Sequence, residues 1–363
     1  MTSSAAAAPQ PHPIADALLA RLPGSPDVYP QKIDLIRNLV LLVGFDQTAY
    51  RAASFLDDRI FGPSAAGAWL PAAAVDAASR HVTQPRPLHF IFHTGHVGST
   101  LVSRLLDETG EVLSLREPLP LRTLADAHDV LGHAESLLSA AQFDAALALF
   151  VRLWRRGYDA TRSVVVKATS SAGRMAVPIL ARNESARAIY MNLRAEPYLA
   201  TLLAGQNSPI DLRGHGPERM RRLQSRLGTP LPPLHSLSPG ELAAMSWLAE
   251  RLAQSDAVDR SPDRVIAVDF DRFLANVESS LETIVGHFGL SPNPRYLANV
   301  RGSEVFTRYS KAPEFAYTPD IRVQVLRDSR RDNRDEIRKG MAWLAQRAQS
   351  DPVAAKALNG NNP

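Results

Sequence analysis

The chain has 363 residues, of which 45% are hydrophobic and 21% charged, a globular composition with ample length for a buried core. Lysine and arginine number 41 against 37 aspartates and glutamates, so the formal net charge is only +4. So small an excess argues against a protein that coats nucleic acid, and it is compatible with one anionic ligand in a small basic pocket. Cysteine is absent, which excludes disulfides, thiolate nucleophiles, cysteine zinc sites and iron–sulfur clusters.

The N-terminal segment carries no targeting pattern. Residues 1–13 are rich in alanine and proline and are predicted to form a disordered tail. No basic segment followed by an apolar run occurs there, so we expect no secretory signal. The nearby apolar stretch from Leu39 to Phe45 is too short to span a bilayer. These features predict a soluble, cytoplasmic protein without a membrane span.

Helical spacing of apolar residues dominates the next part of the chain. It runs from Lys32 to Phe61, and an alanine-rich stretch follows from Ala65 to Arg80. We therefore expect an N-terminal helical region over residues 14–84. At the other end, residues 346–363 are expected to form a C-terminal tail.

Residues 85–345 have the pattern of an α/β domain. Five short apolar runs alternate with helical stretches, and apolar runs without alternation are typical of a buried parallel sheet. Two longer stretches, Leu119–Arg162 and Gly205–Gly240, interrupt the alternation and are predicted to be helical or loop insertions. The predicted strands are Leu88–Phe92, Val112–Leu115, Ser163–Val166, Ala188–Leu193 and Arg264–Phe270.

An ionisable group lies at or near the end of each predicted strand. Glu117 follows the second strand, and Lys167 ends the third. Arg194 follows the fourth strand, and Asp269 lies in the fifth. Carboxyl ends of parallel strands meet at one edge of a sheet, where ligands bind. Lys167 is also one of only five lysines in the chain, and a buried lysine without an anion is costly. The pattern predicts a site for a polyanionic ligand.

The first predicted strand leads into a helix through the sequence HTGHVGST, residues 93–100. Gly95 and Gly98 would let the backbone approach a ligand closely, and N–H groups at the helix start attract anions. Ser99 and Thr100 could donate further hydrogen bonds. An ordinary strand-to-helix turn with a Ser/Thr cap is the alternative, but the strand on one side and the helix on the other favour a phosphate-binding loop.

This loop is not a Walker A motif. Ser99 follows Gly98 directly, where that motif needs an intervening lysine. Without that lysine, and without a clear acidic pair for magnesium, ATP is a poor prediction. His93 and His96 flank the loop without a third ligand, so no metal site is expected.

Five segments, in this order and at this spacing, resemble the sulfotransferase family: HTGHVGSTLVSRLLDE, EVLSLREP, VVVKA, RAIYMNLRAEPYLATLLA and RVIAVDFDRFLANVESSLETIVGHFGL. They cover roughly Leu88 to Leu290. The resemblance implies the three-layer fold of P-loop NTPases and kinases. It also implies transfer of a sulfuryl group from 3′-phosphoadenosine-5′-phosphosulfate (PAPS) to a hydroxyl or amine, without a metal. The partners would be this nucleotide donor and a small-molecule acceptor, whose identity stays open, as does the oligomeric state.

The same resemblance implies roles for individual residues. Arg194 and Thr201 would bind the 3′-phosphate of the donor, and Lys311 would substitute for the family's Arg–Lys–Gly loop. Glu117 resembles the carboxylate that some members use as catalytic base. Lys167 matches the lysine that ends the family's third strand, and His96 completes the implied catalytic set. The loop that would hold the 5′-phosphosulfate consists of Gly95, His96, Val97, Gly98, Ser99 and Thr100.

The chain departs from the family at His96, where many members have a lysine or arginine. Imidazole is not a permanent cation, and Lys167, Arg116 or His93 could compensate. The alternative functions are a nucleotide-dependent phosphotransferase of the same fold, which should need magnesium and ATP, and a non-catalytic nucleotide-binding protein.

Glu117 also keeps two interpretations. As a general base it would take the proton of the acceptor hydroxyl. As a structural residue it would form a salt bridge with Arg116 or Arg122, which usually contributes little to stability.

Overall fold

The computed structural model describes residues 13–60, 66–291, 294–309, 312–316 and 318–359. The predicted disordered tail lies outside the described residues except for Pro13, where the first helix begins. Lys311 also lies outside them.

The N-terminal region contains a small antiparallel sheet, so the expectation that residues 14–84 are helical is wrong for much of its length. The strands pair in the order β1-β2-β3. Helices α1 and α3 pack on this sheet. The elements are α1 (Pro13–Arg21), β1 (Val28–Asp34), β2 (Leu39–Gly44), α2 (Gln47–Ala52), β3 (Gly67–Pro71) and α3 (Ala72–Ser79).

Two residues explain why this segment forms β-strands and not a helix. Pro30 lacks an N–H and would break a helix, whereas it is tolerated in edge strand β1, where the register shifts between Pro30 and Lys32. Asn38 adopts a φ of 55° between β1 and β2, a left-handed conformation typical of turns. The following run Leu39–Gly44 is too short for a stable helix, and its valines favour a strand.

The second part of the chain forms the predicted α/β fold around a five-stranded parallel sheet. Its strand order is β5-β6-β4-β7-β8, with β4 at the centre. Phe90 and Phe92 lie in one apolar core, and Ile91 between them lies in the other. Both faces of the sheet are therefore covered, which gives the three-layer arrangement. The strands confirm all five predicted apolar runs: β4 (Leu88–His93), β5 (Val112–Arg116), β6 (Ser163–Lys167), β7 (Ala188–Asn192) and β8 (Val265–Asp269).

Helices connect and cover these strands. The long α11 packs against α8, α10 and α16, and Ser238 caps its start through a reciprocal hydrogen-bond pair with Glu241. The predicted insertions contribute α5 and α6, and then α9 and α10. The helices as far as the C-terminal region are α4 (Ser99–Glu108), α5 (Leu119–Asp129), α6 (Ala140–Trp154), α7 (Ala176–Arg182), α8 (Ala195–Ala204), α9 (Ser208–Gly214), α10 (Gly216–Gln224), α11 (Pro239–Arg260), α12 (Phe270–Ala275), α13 (Val277–His287) and α14 (Pro294–Asn299).

The C-terminal region packs onto the domain, so the expected tail over 346–363 is wrong as far as residue 359. Helix α16 runs through residue 346, and Ala354 and Ala357 of the next helix are buried. Asp351 ends one helix and accepts the N–H of Val353 at 2.8 Å at the start of the other, and Pro352 suits a first helical position. The elements are β9 (Arg308–Tyr309), β10 (Ala312–Ala316), α15 (Pro319–Asp332), α16 (Arg334–Ser350) and α17 (Pro352–Asn359). The domain boundaries at residues 84 and 345 stay predictions.

Candidate active site

The loop between β4 and α4 has an unusual backbone. Gly95, His96 and Gly98 have φ values of 101°, 54° and 71°. Glycine adopts such values at no steric cost, whereas for His96 the conformation is uncommon. Alternation between left-handed and ordinary conformations turns successive N–H groups toward one side, an arrangement that suits anions.

His93 fixes the start of this loop. Its Nδ1 accepts the N–H of Gly95 at 3.1 Å, and its Nε2 lies 2.8 Å from the carbonyl oxygen of Ala168. The first contact requires an unprotonated Nδ1, so Nε2 carries the hydrogen and donates it to Ala168. The N–H of Gly95 is thus engaged by the protein itself. His93 is buried and positions the loop.

The rest of the loop keeps polar groups available. Within the described part of the chain, the N–H groups of Val97 and Gly98 have no hydrogen-bond partner. The buried hydroxyls of Thr94 and Thr100 have none either. Such groups in a native structure call for a partner outside the chain. Together with Ser99, which begins α4, they form a donor set that fits a phosphate or sulfate group.

Gly98 is also required for packing. A Cβ atom at this position would lie 2.0 Å from the ring of Phe270, the first residue of α12. Only glycine lets the aromatic ring lie against the loop. This contact joins the loop to the carboxyl end of β8.

Lys167 and Glu117 form an ion pair between the ends of two neighbouring strands. The lysine side chain is 0% exposed and that of the glutamate 17%. Glu117 has a φ of 56°, and its N–H donates to the carbonyl oxygen of Lys167 at 2.6 Å. The expected structural partners of Glu117, Arg116 and Arg122, are therefore wrong, because the carboxylate binds Lys167. The two predicted catalytic residues are together at the sheet edge.

Arg116 has a structural role and is not available to replace a catalytic cation. Its guanidinium is 1% exposed and pairs with Asp107. It also donates to the carbonyl oxygens of Tyr50 and Ala53 at 2.9 and 2.8 Å. Burial raises the pKa of Asp107, and the charge of Arg116 opposes that shift. Arg116 therefore holds the N-terminal region on the α/β domain.

Arg194 caps the start of α8 and Thr201 lies within it, but the two side chains differ in whether they are free to bind a ligand. Arg194 is the exposed N-cap residue, and its side chain has no hydrogen bond or ion pair within the described residues. Thr201 donates its hydroxyl hydrogen to the carbonyl oxygen of Pro197 at 2.7 Å. A ligand phosphate could therefore bind the Arg194 guanidinium directly. The Thr201 hydroxyl would first have to give up its hydrogen bond to the Pro197 carbonyl oxygen.

Asn192 is a candidate that the sequence interpretation missed. It ends β7, is 0% exposed, and neither its Oδ1 nor its Nδ2 has a partner within the described residues. It pairs in register with Asp269 at the end of β8. The signal in the sequence was an asparagine at the end of the apolar run AIYMN, where a buried amide needs a hydrogen-bond partner.

Other features of the described residues do not include the loop, or are absent from that part of the chain. A cavity of about 630 Å³ extends along the outer side of β8 and includes Ile266 and Phe273, but no residue of the loop. Among the described residues, no group of three metal-ligating side chains lies together. None of the helices described is both long and apolar enough to cross a bilayer.

No protein-family model matches the chain, and no curated protein matches it either. The solved structures to which it is similar include sulfotransferases. The sulfotransferase domain of the curacin biosynthetic pathway is 14% identical, with a TM-score of 0.39 over 64% of this chain and 84% of that one. The domain from the Synechococcus olefin synthase is 17% identical, with a TM-score of 0.38 over 68% and 94%. A sulfotransferase from Alicyclobacillus acidocaldarius is 15% identical, with a TM-score of 0.35 over 60% and 90%. Likeness at this level does not fix a function, which has to be argued from the residues of this chain.

Proposed function

We propose that the protein is a sulfotransferase that uses PAPS as sulfuryl donor and a hydroxyl or amine compound as acceptor. One observation carries the proposal. The loop with unpartnered N–H and hydroxyl groups lies at the same sheet edge as the Lys167–Glu117 ion pair. An anion-binding loop beside a carboxylate that can take a proton is what sulfuryl transfer requires.

The loop residues fit the donor's phosphosulfate. The N–H groups of Val97 and Gly98 and the hydroxyl of Thr100 would donate to its oxygens. Arg194, exposed and without a partner among the described residues, would bind the 3′-phosphate. PAPS would supply an activated sulfur. The acceptor oxygen or nitrogen would form a bond to this sulfur, and the bond from sulfur to the phosphate oxygen would break, leaving its electron pair on adenosine 3′,5′-bisphosphate.

Glu117 and Lys167 would have different roles in the transfer step. The carboxylate of Glu117 would take the proton that leaves the acceptor hydroxyl, which balances the charge of the step. Lys167 would hold that carboxylate in place and stabilise the negative charge that develops on the leaving phosphate. His96, half-buried in the loop, would contribute a hydrogen bond where a permanent cation is missing.

The test is thermal stabilisation by adenosine 3′,5′-bisphosphate, measured beside magnesium–ATP and AMP. A ligand at a hundred times its dissociation constant stabilises a protein by about 2.7 kcal/mol. We expect selective stabilisation by the bisphosphate, lost in Arg194→Ala and in Lys167→Ala. Arg260→Ala is the matched control, because Arg260 is exposed at the end of α11, before β8 begins.

The alternative functions predict other results. Stabilisation by magnesium–ATP alone would indicate a phosphotransferase. Bisphosphate binding without turnover of PAPS by any acceptor would indicate a non-catalytic nucleotide-binding protein. No response to any nucleotide would reject nucleotide binding at this loop.

A further inference from the structure

The N-terminal region extends to the candidate active site. Two arginines of the α/β domain hold its segment after α2 in place. Arg116 binds backbone carbonyl oxygens of this segment, as described above, and Arg104 of α4 donates to Ser54 Oγ at 2.9 Å. Leu56 donates its N–H to the carbonyl oxygen of Arg116 at 2.7 Å. Phe55 lies between the two anchored residues Ser54 and Leu56, so its position at the end of β5 is fixed.

Phe55 lies beside the Lys167–Glu117 ion pair. The centre of its ring is 5.9 Å from Lys167 Nζ. The lysine side chain is fully buried, whereas Phe55 is only partly buried. The guanidinium carbon of Arg59, whose side chain is 64% exposed, lies 3.9 Å from the same ring centre. With one buried and one exposed cation as neighbours, the ring lies at the boundary between the ion pair and solvent.

The cations next to Phe55 already have acidic partners within the chain. Lys167 pairs with Glu117, and Nε of Arg59 lies 2.8 and 2.9 Å from the two carboxylate oxygens of Asp57. An acceptor therefore does not have to supply a counter-ion for either cation. The ring of Phe55, by contrast, keeps partly exposed apolar surface, and covering such surface with another apolar group is favourable.

We infer that Phe55 forms one wall of the acceptor site, and that the acceptor carries an apolar group next to its reactive hydroxyl or amine. A hydroxyl that gives its proton to Glu117 has to come within hydrogen-bond reach of that carboxylate. Lys167 binds the same carboxylate and lies close to the ring, so the atoms next to the hydroxyl would pack against Phe55. This inference rests on the proposed function and names the substrate class of the same site.

Phe55 is not a residue that the family resemblance implies. It precedes Leu88, where the resemblance begins. The N-terminal region of this chain would therefore supply part of the acceptor specificity, while the α/β domain supplies the donor loop and the ion pair.

The experiment compares acceptors of equal length that differ in apolar surface. The probes are heptan-1-ol, heptan-1-amine and 4-propylphenol. Each is measured beside an analogue in which ether oxygens replace methylene groups: 2-(2-methoxyethoxy)ethanol, 2-(2-methoxyethoxy)ethylamine and 4-(methoxymethyl)phenol. With labelled PAPS as donor, we expect kcat/KM for each apolar probe that is turned over to exceed that for its ether analogue by about threefold for each methylene replaced.

Variants of Phe55 test whether this ring is responsible for the preference. In Phe55→Ala most of the preference should disappear through KM, whereas Phe55→Leu, which stays apolar, should retain part of it. Trp69→Ala is the matched control, because Trp69 is an aromatic residue of β3 in the same region and is 46% exposed. This control should keep the full preference. All three variants should bind adenosine 3′,5′-bisphosphate as the wild type does.

The outcomes separate this inference from the proposed function. Equal or better use of the ether analogues by the wild type overturns the apolar acceptor while sulfotransfer stands, and so does an unchanged preference in Phe55→Ala. Bound bisphosphate without turnover of any apolar probe also overturns it. Loss of bisphosphate binding in Phe55→Ala, together with a lower unfolding temperature, would assign Phe55 a structural role and overturn its place in the acceptor site. Failure of the wild type to bind the bisphosphate rejects the proposed function itself.

Discussion

Gly95 donates its N–H to Nδ1 of His93 at 3.1 Å, two residues earlier, while Nε2 of the same ring lies 2.8 Å from the carbonyl oxygen of Ala168. One imidazole therefore joins the loop after β4 to the segment after β6. A side chain that satisfies both contacts has to donate at one end and accept at the other, which a neutral histidine does.

We predict that His93→Ala weakens nucleotide binding although His93 touches no ligand in the proposed site. Loss of the ring leaves the N–H of Gly95 and the carbonyl of Ala168 without their partner, so the loop loses its fixed conformation. The affinity for adenosine 3′,5′-bisphosphate, measured by calorimetry, should fall at least about tenfold. His93→Gln, which can both donate and accept, should fall less.

His81→Ala is the control for this change, because His81 is exposed. Unchanged bisphosphate affinity in His93→Ala would show that the loop holds its shape without the imidazole.

Two glycines with similar backbone angles allow strain to be separated from contact. Gly98 and Gly110 have φ values of 71° and 76°. An added Cβ meets the Phe270 ring at 2.0 Å in the first case, and nothing within 4 Å in the second. Gly110→Ala should cost about 1 kcal/mol of unfolding free energy for its backbone alone.

Gly98→Ala should cost more, because the Phe270 ring has to move as well, and it should abolish bisphosphate binding. Chemical denaturation of both variants measures the difference. Equal destabilisation, with nucleotide binding intact, would mean that the Phe270 contact is unimportant for the loop.

The strands of the central sheet were predictable because burial on both faces leaves a simple signature. Each strand is a short apolar run. Because the strands are parallel, the residues at their carboxyl ends were expected to lie at one edge of the sheet. The N-terminal strands were not predicted, because the run after Asn38 fits helical and extended spacing equally. Pro30 precedes the predicted helical stretch, yet it disfavours a helix through β1 and is tolerated there because β1 is an edge strand.

The sequence predicted which residues form the candidate site better than it predicted which of their side chains bind each other. The sequence placed Glu117 and Lys167 at the ends of successive strands, but it showed neither that these strands are neighbours in the sheet nor that the two side chains bind each other. Side-chain partners depend on tertiary distances that one sequence does not contain. Asn192 was missed for a related reason: nothing in the sequence shows that its amide lacks a partner inside the fold.

Variants of the Lys167–Glu117 pair should separate stability from activity: stability should return in a double variant that stays inactive. Glu117→Gln should destabilise the protein by about 3 kcal/mol, because the buried ammonium loses its carboxylate partner. The double variant with Lys167→Met removes both charges and should recover much of that loss. Sulfotransfer should be lost in both variants, since the base is gone in each.

Denaturant unfolding and turnover of labelled PAPS measure these two properties on the same samples. Activity that returns together with stability in the double variant would assign the pair a purely structural role.

His89 predicts a stability that falls in mild acid. Burial lowers its pKa to about 4, and the positive charges of Arg187 and His287 add to the effect. Its ring stacks on Phe288 with centres 5.0 Å apart, and its Nδ1 accepts the N–H of Arg187 at 3.2 Å. The native state therefore keeps a neutral ring, whereas the unfolded chain takes up a proton near pH 6.5.

Since the unfolded state binds more protons between these two pH values, its free energy falls relative to the native state as the pH is lowered. The contribution of neutral His89 to the free energy of unfolding is fully present above about pH 6.5, and about 3 kcal/mol of that contribution should be lost by pH 4. His89→Gln, which does not titrate, should reduce the difference between denaturant unfolding at pH 7.5 and at pH 4.5 by about 2 kcal/mol. The exposed His81→Gln should leave it unchanged, and an equal difference in the wild type and His89→Gln would show that His89 does not carry the acid sensitivity.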